Sequence, residues 1–387
     1  MGYKASERSS FPYAIINGIA AKFTETYTNR LEVPAEFMYM SFLTCLGSLL
    51  ADRITIHTEI KPQPRLYTLL LGESADTRKS TAIIKTTDFF RFVTLNAGNW
   101  HFNECWGTGS AEGLARILKS KDQLGKNLIL CYDEFKGFVS KAKIKSSTLL
   151  ECVSSLFEKN RYENNIKATG LLIENGCLSL IAASTVQTYE ATWDKSFTDI
   201  GFSNRLFIVP GYGERKDVLP PPIPLSVKQM LAQELFSLLD FVGIFKEINI
   251  SDSAYKILQN WYTDRPSSIH SKRLEGYALR VLILMAANKK QDIIDDQMAI
   301  DVILLMDWQL EMRQMYDPID ADNACAKMEI KIRRALDKRR ALSDRELKQF
   351  TNAARSGLWL FTTALGNLKD SGEIVFGKAT KQWKLNQ

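Results

Sequence analysis

Lys79, Ser80 and Thr81 follow a short apolar run, Leu66-Tyr-Thr-Leu-Leu-Leu71, and a glycine, Gly72. A lysine and a hydroxyl at the point where a buried strand gives way to a helix suit a triphosphate. The helix amides and dipole face the anion, Lys79 reaches the β- and γ-phosphates, and the Ser80 hydroxyl holds Mg²⁺. The spacing departs from the usual G-x-x-x-x-G-K-S loop. Counting back from Lys79, its two glycine positions hold Glu73 and Arg78, and Gly72 stands one residue earlier. Taken alone, the segment reads equally as an ordinary strand-to-helix turn with a capping serine.

A second group lies about 55 residues on, where Asn127-Leu-Ile-Leu-Cys-Tyr-Asp133-Glu134 ends an apolar run in adjacent carboxylates. Asp133 suits Mg²⁺, through Ser80 or water, and Glu134 suits the water that attacks the terminal phosphate. Leu178-Ser-Leu-Ile-Ala-Ala-Ser184-Thr185 ends a third apolar run in hydroxyls. Ser184 there could orient that water, although serine and threonine also cap helices. Arg205, in Gly201-Phe-Ser-Asn-Arg205, precedes a fourth run. It reads as a surface residue or as an arginine finger reaching a neighbour's γ-phosphate, which requires a closed ring.

Placing these groups together takes a particular frame. Buried-strand candidates at Leu66–Leu71, Asn127–Tyr132, Cys177–Ala183 and Leu206–Val209 alternate with helical spacing, the pattern of a parallel α/β core. Residues 11–50 read as helices, and Arg53–Ile60 alternates like a strand. Leu219-Pro-Pro-Pro-Ile-Pro224 cannot continue a helix. Beyond it, four helical patterns between Ser226 and Tyr316 predict an all-α unit. Helices over 326–339, 343–350 and 355–370, then strands at 373–378 and 381–385, give the order of a winged helix-turn-helix. The expected division is a helical lead-in (1–60), an ATPase core (61–218), a helical lid (225–320) and a winged module (326–387).

Composition narrows the classes. With 45% apolar and 24% charged residues, the chain fits an ordinary soluble protein. Met1–Ser10 carries no apolar signal region, and no run approaches 18 apolar residues, so we expect a cytoplasmic protein without membrane spans. Six cysteines are scattered singly and there are only three histidines, which argues against disulfides, zinc and histidine-based catalysis. Net charge is +6, but residues 326–387 hold 14 Lys and Arg against 6 Asp and Glu. That local +8 points to a polyanion, most simply DNA, or to a solvated basic face. Arg345, Lys348 and Arg355 on the helices and Lys378, Lys381 and Lys384 on the wing are the expected DNA contacts.

From about Phe11 to Arg280 the chain resembles the P-loop ATPases of phages, plasmids and genomic islands, which are often fused to primases or serve as replicative helicases. The likeness lies in Leu66-Tyr-Thr, the Arg-Lys-Ser form of the loop, Tyr-Asp-Glu-Phe and Gly-Phe-Ser-Asn-Arg. The same order is similar to minichromosome maintenance helicases. Their sensor motif corresponds to Ala182-Ala183-Ser184-Thr185, and their Ser-Arg-Phe finger to Ser203-Asn204-Arg205-Leu206 with one residue inserted. Their lid arginine resembles Arg273 of Lys272-Arg273-Leu274-Glu275, and Arg280 follows on the same helix. The resemblance implies an AAA+ core with a helical lid, ATP and Mg²⁺, a hexameric ring and DNA translocation. Gly72, Thr77, Arg78, Lys79, Ser80, Thr81, Asp133, Arg273 and Arg280 would then contact the nucleotide. A primase or a replication initiator is an implied partner. A non-unwinding ATPase switch and a nucleotide-binding scaffold stay open beside the helicase.

Overall fold

The computed structural model describes residues 10–386 apart from 74–76, 96, 121–126, 166–169, 193–196, 198–199, 214–218, 317–323 and 378–379, and gives no side chains for residues 119, 120 and 355. Two compact units divide the chain, Met1–Asp317 and Pro318–Gln387.

In the first unit a short 3-10 turn leads to helices α1 (Gly18–Leu31) and α2 (Ala35–Leu49). Then follow β1 (Ile54–Ile56), β2 (Tyr67–Leu71), α3 (Lys79–Thr94), β3 (Glu104–Trp106), α4 (Ala111–Ser120) and β4 (Asn127–Tyr132). Next come α5 (Phe135–Ala142), α6 (Leu149–Glu158), the hairpin β5 (Tyr162–Asn164) and β6 (Leu171–Ile173), and β7 (Cys177–Ser184). The unit continues with α7 (Val186–Thr192), β8 (Phe207–Pro210), α8 (Leu225–Val242), β9 (Lys246–Ile250), α9 (Asp252–Asp264), α10 (Leu274–Lys289), β10 (Ile293–Ile294) and α11 (Asp296–Met315).

Five of these strands form a parallel sheet in the order β3-β4-β7-β2-β8. Every residue of β2, β4, β7 and β8 is buried, as continuous apolar strands require when both faces are covered. Alternation along β2 shows what covers them. The Thr68 hydroxyl meets Thr44 of α2 at 2.6 Å, while the Tyr67 hydroxyl, on the opposite face, donates to the Val153 carbonyl of α6 at 2.7 Å. Helix α2 is buried from Glu36 to Leu49, so the apolar run after Pro34 is a central helix with no solvent face. One core runs from Phe11 to Tyr316, and the proline run at 219–224 bends the chain without dividing that core.

The expected all-α stretch beyond residue 225 is corrected in one respect. Lys246-Glu-Ile-Asn-Ile250 forms β9, which pairs in parallel with β1 and β10 in a separate three-stranded sheet. The expected strand at Arg53–Ile60 is also shorter than its alternation, because only Ile54–Ile56 find a partner there.

The second unit holds α12 (Ala324–Arg339), β11 (Leu342–Ser343), α13 (Asp344–Phe350), α14 (Ala353–Ser356), α15 (Leu358–Asp370), β12 (Ile374–Gly377) and β13 (Gln382–Leu385). Its sheet is antiparallel in the order β11-β13-β12. Met328, Ile332, Leu336, Leu347, Phe361 and Leu368 are among its core. A capping box between Ser343 and Glu346 starts α13. The helix expected over 355–370 is split, because Gly357 takes φ 104°, outside helical space.

Candidate active site

Gly72 leaves β2 at its carboxyl end, and its amide donates to the Ser184 carbonyl at 3.3 Å. A side chain is excluded there, since a Cβ on Gly72 would lie 2.5 Å from Thr77 Oγ1. Buried Thr77 donates its hydroxyl to the Glu73 carbonyl at 2.9 Å. Lys79 opens α3, and its ammonium donates to the Gly72 carbonyl (3.0 Å), the Glu73 carbonyl (2.8 Å) and Thr77 Oγ1 (3.1 Å). All three of its donors therefore converge on the mouth of the loop. Ser80 and Thr81, half-buried, form the first turn of a 16-residue helix that has no side-chain cap. The amide ends of that turn are the groups a phosphate uses.

Arg78 stands where the usual loop carries a glycine. It takes φ 47°, ψ 36°, the left-handed conformation a glycine would adopt without cost. For an arginine that conformation costs roughly 1 kcal/mol. Its guanidinium bonds Glu32 in the turn between α1 and α2 at 2.7 Å, where the Glu32 side chain is only 6% exposed. The ion pair ties the loop to the lead-in helices and helps hold the strained residue.

Strand β4 lies two positions from β2, with β7 between them. Registry sets Tyr132 opposite Ala182, and Leu69 and Leu71 opposite Ala182 and Ser184. Asp133 and Glu134 thus follow at the same carboxyl end as Lys79, about 10 Å away laterally at ordinary strand spacing. Both carboxylates are exposed. Burial lowers the pKa of Lys79, while the nearby charges of Glu134 and Glu73 pull it back up. Glu134 therefore shares an electrostatic neighbourhood with the loop lysine. Among the described residues no cluster of three His, Cys, Asp or Glu could hold a metal by itself. A carboxylate, a hydroxyl, water and phosphate oxygens suffice for Mg²⁺, and Asp133 and Ser80 are of the right chemistry.

Ser184, buried at the end of β7 and level with Leu71, donates to the Thr185 carbonyl at 3.1 Å. Its neighbour does the capping: Thr185 Oγ1 accepts the Thr188 amide at 3.1 Å at the start of α7. Ser184 is thus not the residue that caps α7.

Arg273 and Arg280, expected at the nucleotide, and Arg205, expected as a surface residue or a finger for a neighbour, all lie away from the Lys79 loop of this chain. Arg205 is 8% exposed and donates through Nη1 to the Ile200 and Gly201 carbonyls at 3.0 and 2.9 Å. Burial lowers its pKa. Arg280 donates to the Arg65 and Phe157 carbonyls at 2.9 and 2.7 Å and lies 4.1 Å from the Phe157 ring centroid. Burial, and then the charge of Arg65, push its pKa down to about 9. Arg273 bonds Glu158, which also pairs with Arg280 at 3.7 Å. All three stand at the amino end of the sheet. Arg65 and Gly72 are separated by roughly 20 Å of extended chain. Arg273 and Arg280 therefore do not line this chain's own phosphate loop, because α10 packs beside the start of β2 and not its end.

Arg313 was missed by sequence reasoning and completes the amino-end group. It donates to the Asn204 and Lys272 carbonyls at 2.9 Å each. The Tyr277 hydroxyl, donating to the Arg205 carbonyl at 2.5 Å, joins α10 to the same point.

In the second unit Arg345, Lys381 and Lys384 are exposed. Lys348 pairs with Asp344 at 2.6 Å, one helical turn away. Lys378 and the Arg355 side chain lie outside the described residues. The exposed face of α15 begins with Leu358 and Trp359, the latter 78% exposed, so it starts apolar and not basic.

No family model matches the chain, and no curated protein matches it. No described helix is long and apolar enough to cross a membrane. Among solved structures the chain is similar to a full-length MCM homologue from Methanopyrus kandleri, at 14% identity and a TM-score of 0.43. The match covers 76% of this chain and 60% of that one.

Proposed function

We propose that the chain is an ATP-hydrolysing DNA motor of the AAA+ kind, a helicase or translocase that works as a hexameric ring in the replication of a mobile element. The observation that carries this reading is the junction of β2, the Lys79 loop and α3, with Asp133 and Glu134 at the same end of the sheet one intervening strand away. In this reading Lys79 exchanges its loop carbonyls for the β- and γ-phosphates of ATP, and the amides of Lys79, Ser80 and Thr81 cradle the anion. Ser80 and Asp133 would hold Mg²⁺, which when bound would supply positive charge beside the phosphate oxygens. Glu134 accepts a proton from the attacking water, and Ser184 at the end of β7 positions it. Arg205, with Arg273 and Arg280 behind it, stands at the amino end of the sheet, and so serves a neighbouring subunit's γ-phosphate and not its own. The α12–α15 helices and β12–β13 hairpin act as a winged helix-turn-helix on DNA, and a primase or initiator completes the assembly.

A second reading, an ATPase switch that controls assembly on DNA without unwinding, is favoured by the left-handed Arg78 and by the three bonds that occupy Lys79. Both features slow the loop's exchange. DNA-stimulated ATP turnover combined with unwinding of a forked duplex separates the readings. Turnover with strand displacement supports the motor. Turnover without displacement supports the switch, no turnover in the wild type removes both, and wild-type turnover in Glu134→Gln removes Glu134 from the proton-accepting role.

A further inference from the structure

From Lys136 to Ser147 the chain carries four lysines, Lys136, Lys141, Lys143 and Lys145, and no carboxylate. All four are exposed, as are Ser140 and Ser146. Four like charges within ten residues repel one another. The segment is nevertheless ordered. Backbone bonds from Lys143 to Val139 (3.0 Å) and from Ser147 to Ile144 (2.7 Å) close the turn after α5.

The opposite side of α5 is fixed to the core. Phe135, Phe138 and Val139 are buried, and Phe138 stacks on Phe135 and Phe202 at centroid distances of 5.6 and 5.4 Å. Glu134 is the residue that immediately precedes the helix. We infer that α5 and its following turn form a surface that grips the phosphates of DNA, rigidly linked to Glu134. The inference rests on the motor reading and adds where the polymer is felt. Lysines are strongly hydrated point charges suited to phosphates, and serine hydroxyls and small residues beside them are common backbone contacts. A lipid surface is disfavoured, since Ile144 is the single exposed large apolar residue of the segment, whereas a membrane-surface helix turns a whole apolar face outward.

The test measures binding of the full chain to a fluorescent forked duplex over a range of salt. It compares wild type, the Lys141→Ala/Lys143→Ala/Lys145→Ala triple variant and the corresponding triple arginine variant. Each lost phosphate contact lowers the salt slope by about 0.9 on duplex DNA. The alanine variant is expected to lose about 2–3 units of slope and roughly 100-fold in affinity at 0.15 M salt. The arginine variant is expected to keep both, and DNA stimulation of ATP turnover is expected to vanish in the alanine variant alone. Wild-type slope and stimulation in the alanine variant would overturn the inference. Absence of DNA binding by the wild type would instead remove the motor reading from which the inference starts.

Discussion

At the carboxyl end of the five-stranded sheet Asp133 and Glu134 stand in solvent, whereas at its amino end Arg205, Arg280 and Arg313 donate to backbone carbonyls. Both ends concentrate charge, but the two kinds of charge cost different things to remove. A carboxylate without fixed partners is available for a metal or a water, and its loss is felt in turnover. A buried guanidinium that satisfies two carbonyls is felt in stability, because its removal strands those acceptors. Arg205 belongs to both descriptions, which makes it the residue on which the contrast can be broken.

The largest effect is expected there. If Arg205 serves a neighbouring subunit, Arg205→Ala lowers ATP turnover by about 10³-fold or more, and mixing it with Lys79→Ala subunits restores part of the activity. A purely structural Arg205 would give no rescue on mixing. Lys79→Ala comes next, with nucleotide binding abolished and turnover down by at least about 10²-fold. Unchanged ATP affinity by calorimetry would remove the loop from the nucleotide site. Arg280→Ala is expected to lower folding stability by about 3 kcal/mol, read as a shifted denaturation midpoint, while ATP affinity of the folded protein stays at the wild-type value. An affinity loss without destabilisation would reverse the assignment of the two ends. The smallest effect belongs to Arg78→Gly, which relieves left-handed strain while deleting the Glu32 ion pair. The two terms oppose, so stability is expected to move by less than about 1 kcal/mol, and a drop beyond about 2 kcal/mol would show that the ion pair dominates.

Much of the arrangement at the carboxyl end was legible in the sequence because it is local. Each reactive group follows a run of buried apolar residues, so the end of the strand and the group are read together. Even the position of Arg205 follows from its place before β8. The unread parts depend on packing across long separations. Nothing near Lys246 announces that β9 will pair with β1, almost 200 residues earlier. Helical spacing places Arg280 on the same helix as Arg273 but cannot say that α10 meets the start of β2 and not its end. The departure at Arg78 was visible as a missing glycine. Its backbone solution was not, because Glu32 comes from a different turn of the chain.

Helix α2 has a consequence for how the chain is made. It is buried on every side and is made well before its partners: the strands that cover it end only at Pro210, roughly 160 residues later. At ~5–20 residues per second this helix waits on the order of 10–30 s for its partners. Ribosome-stalled chains of increasing length should therefore bind chaperones through α2, and its protease resistance should appear only once Pro210 has left the exit tunnel. Early protection in shorter chains would mean that α1 and α2 shelter each other unaided.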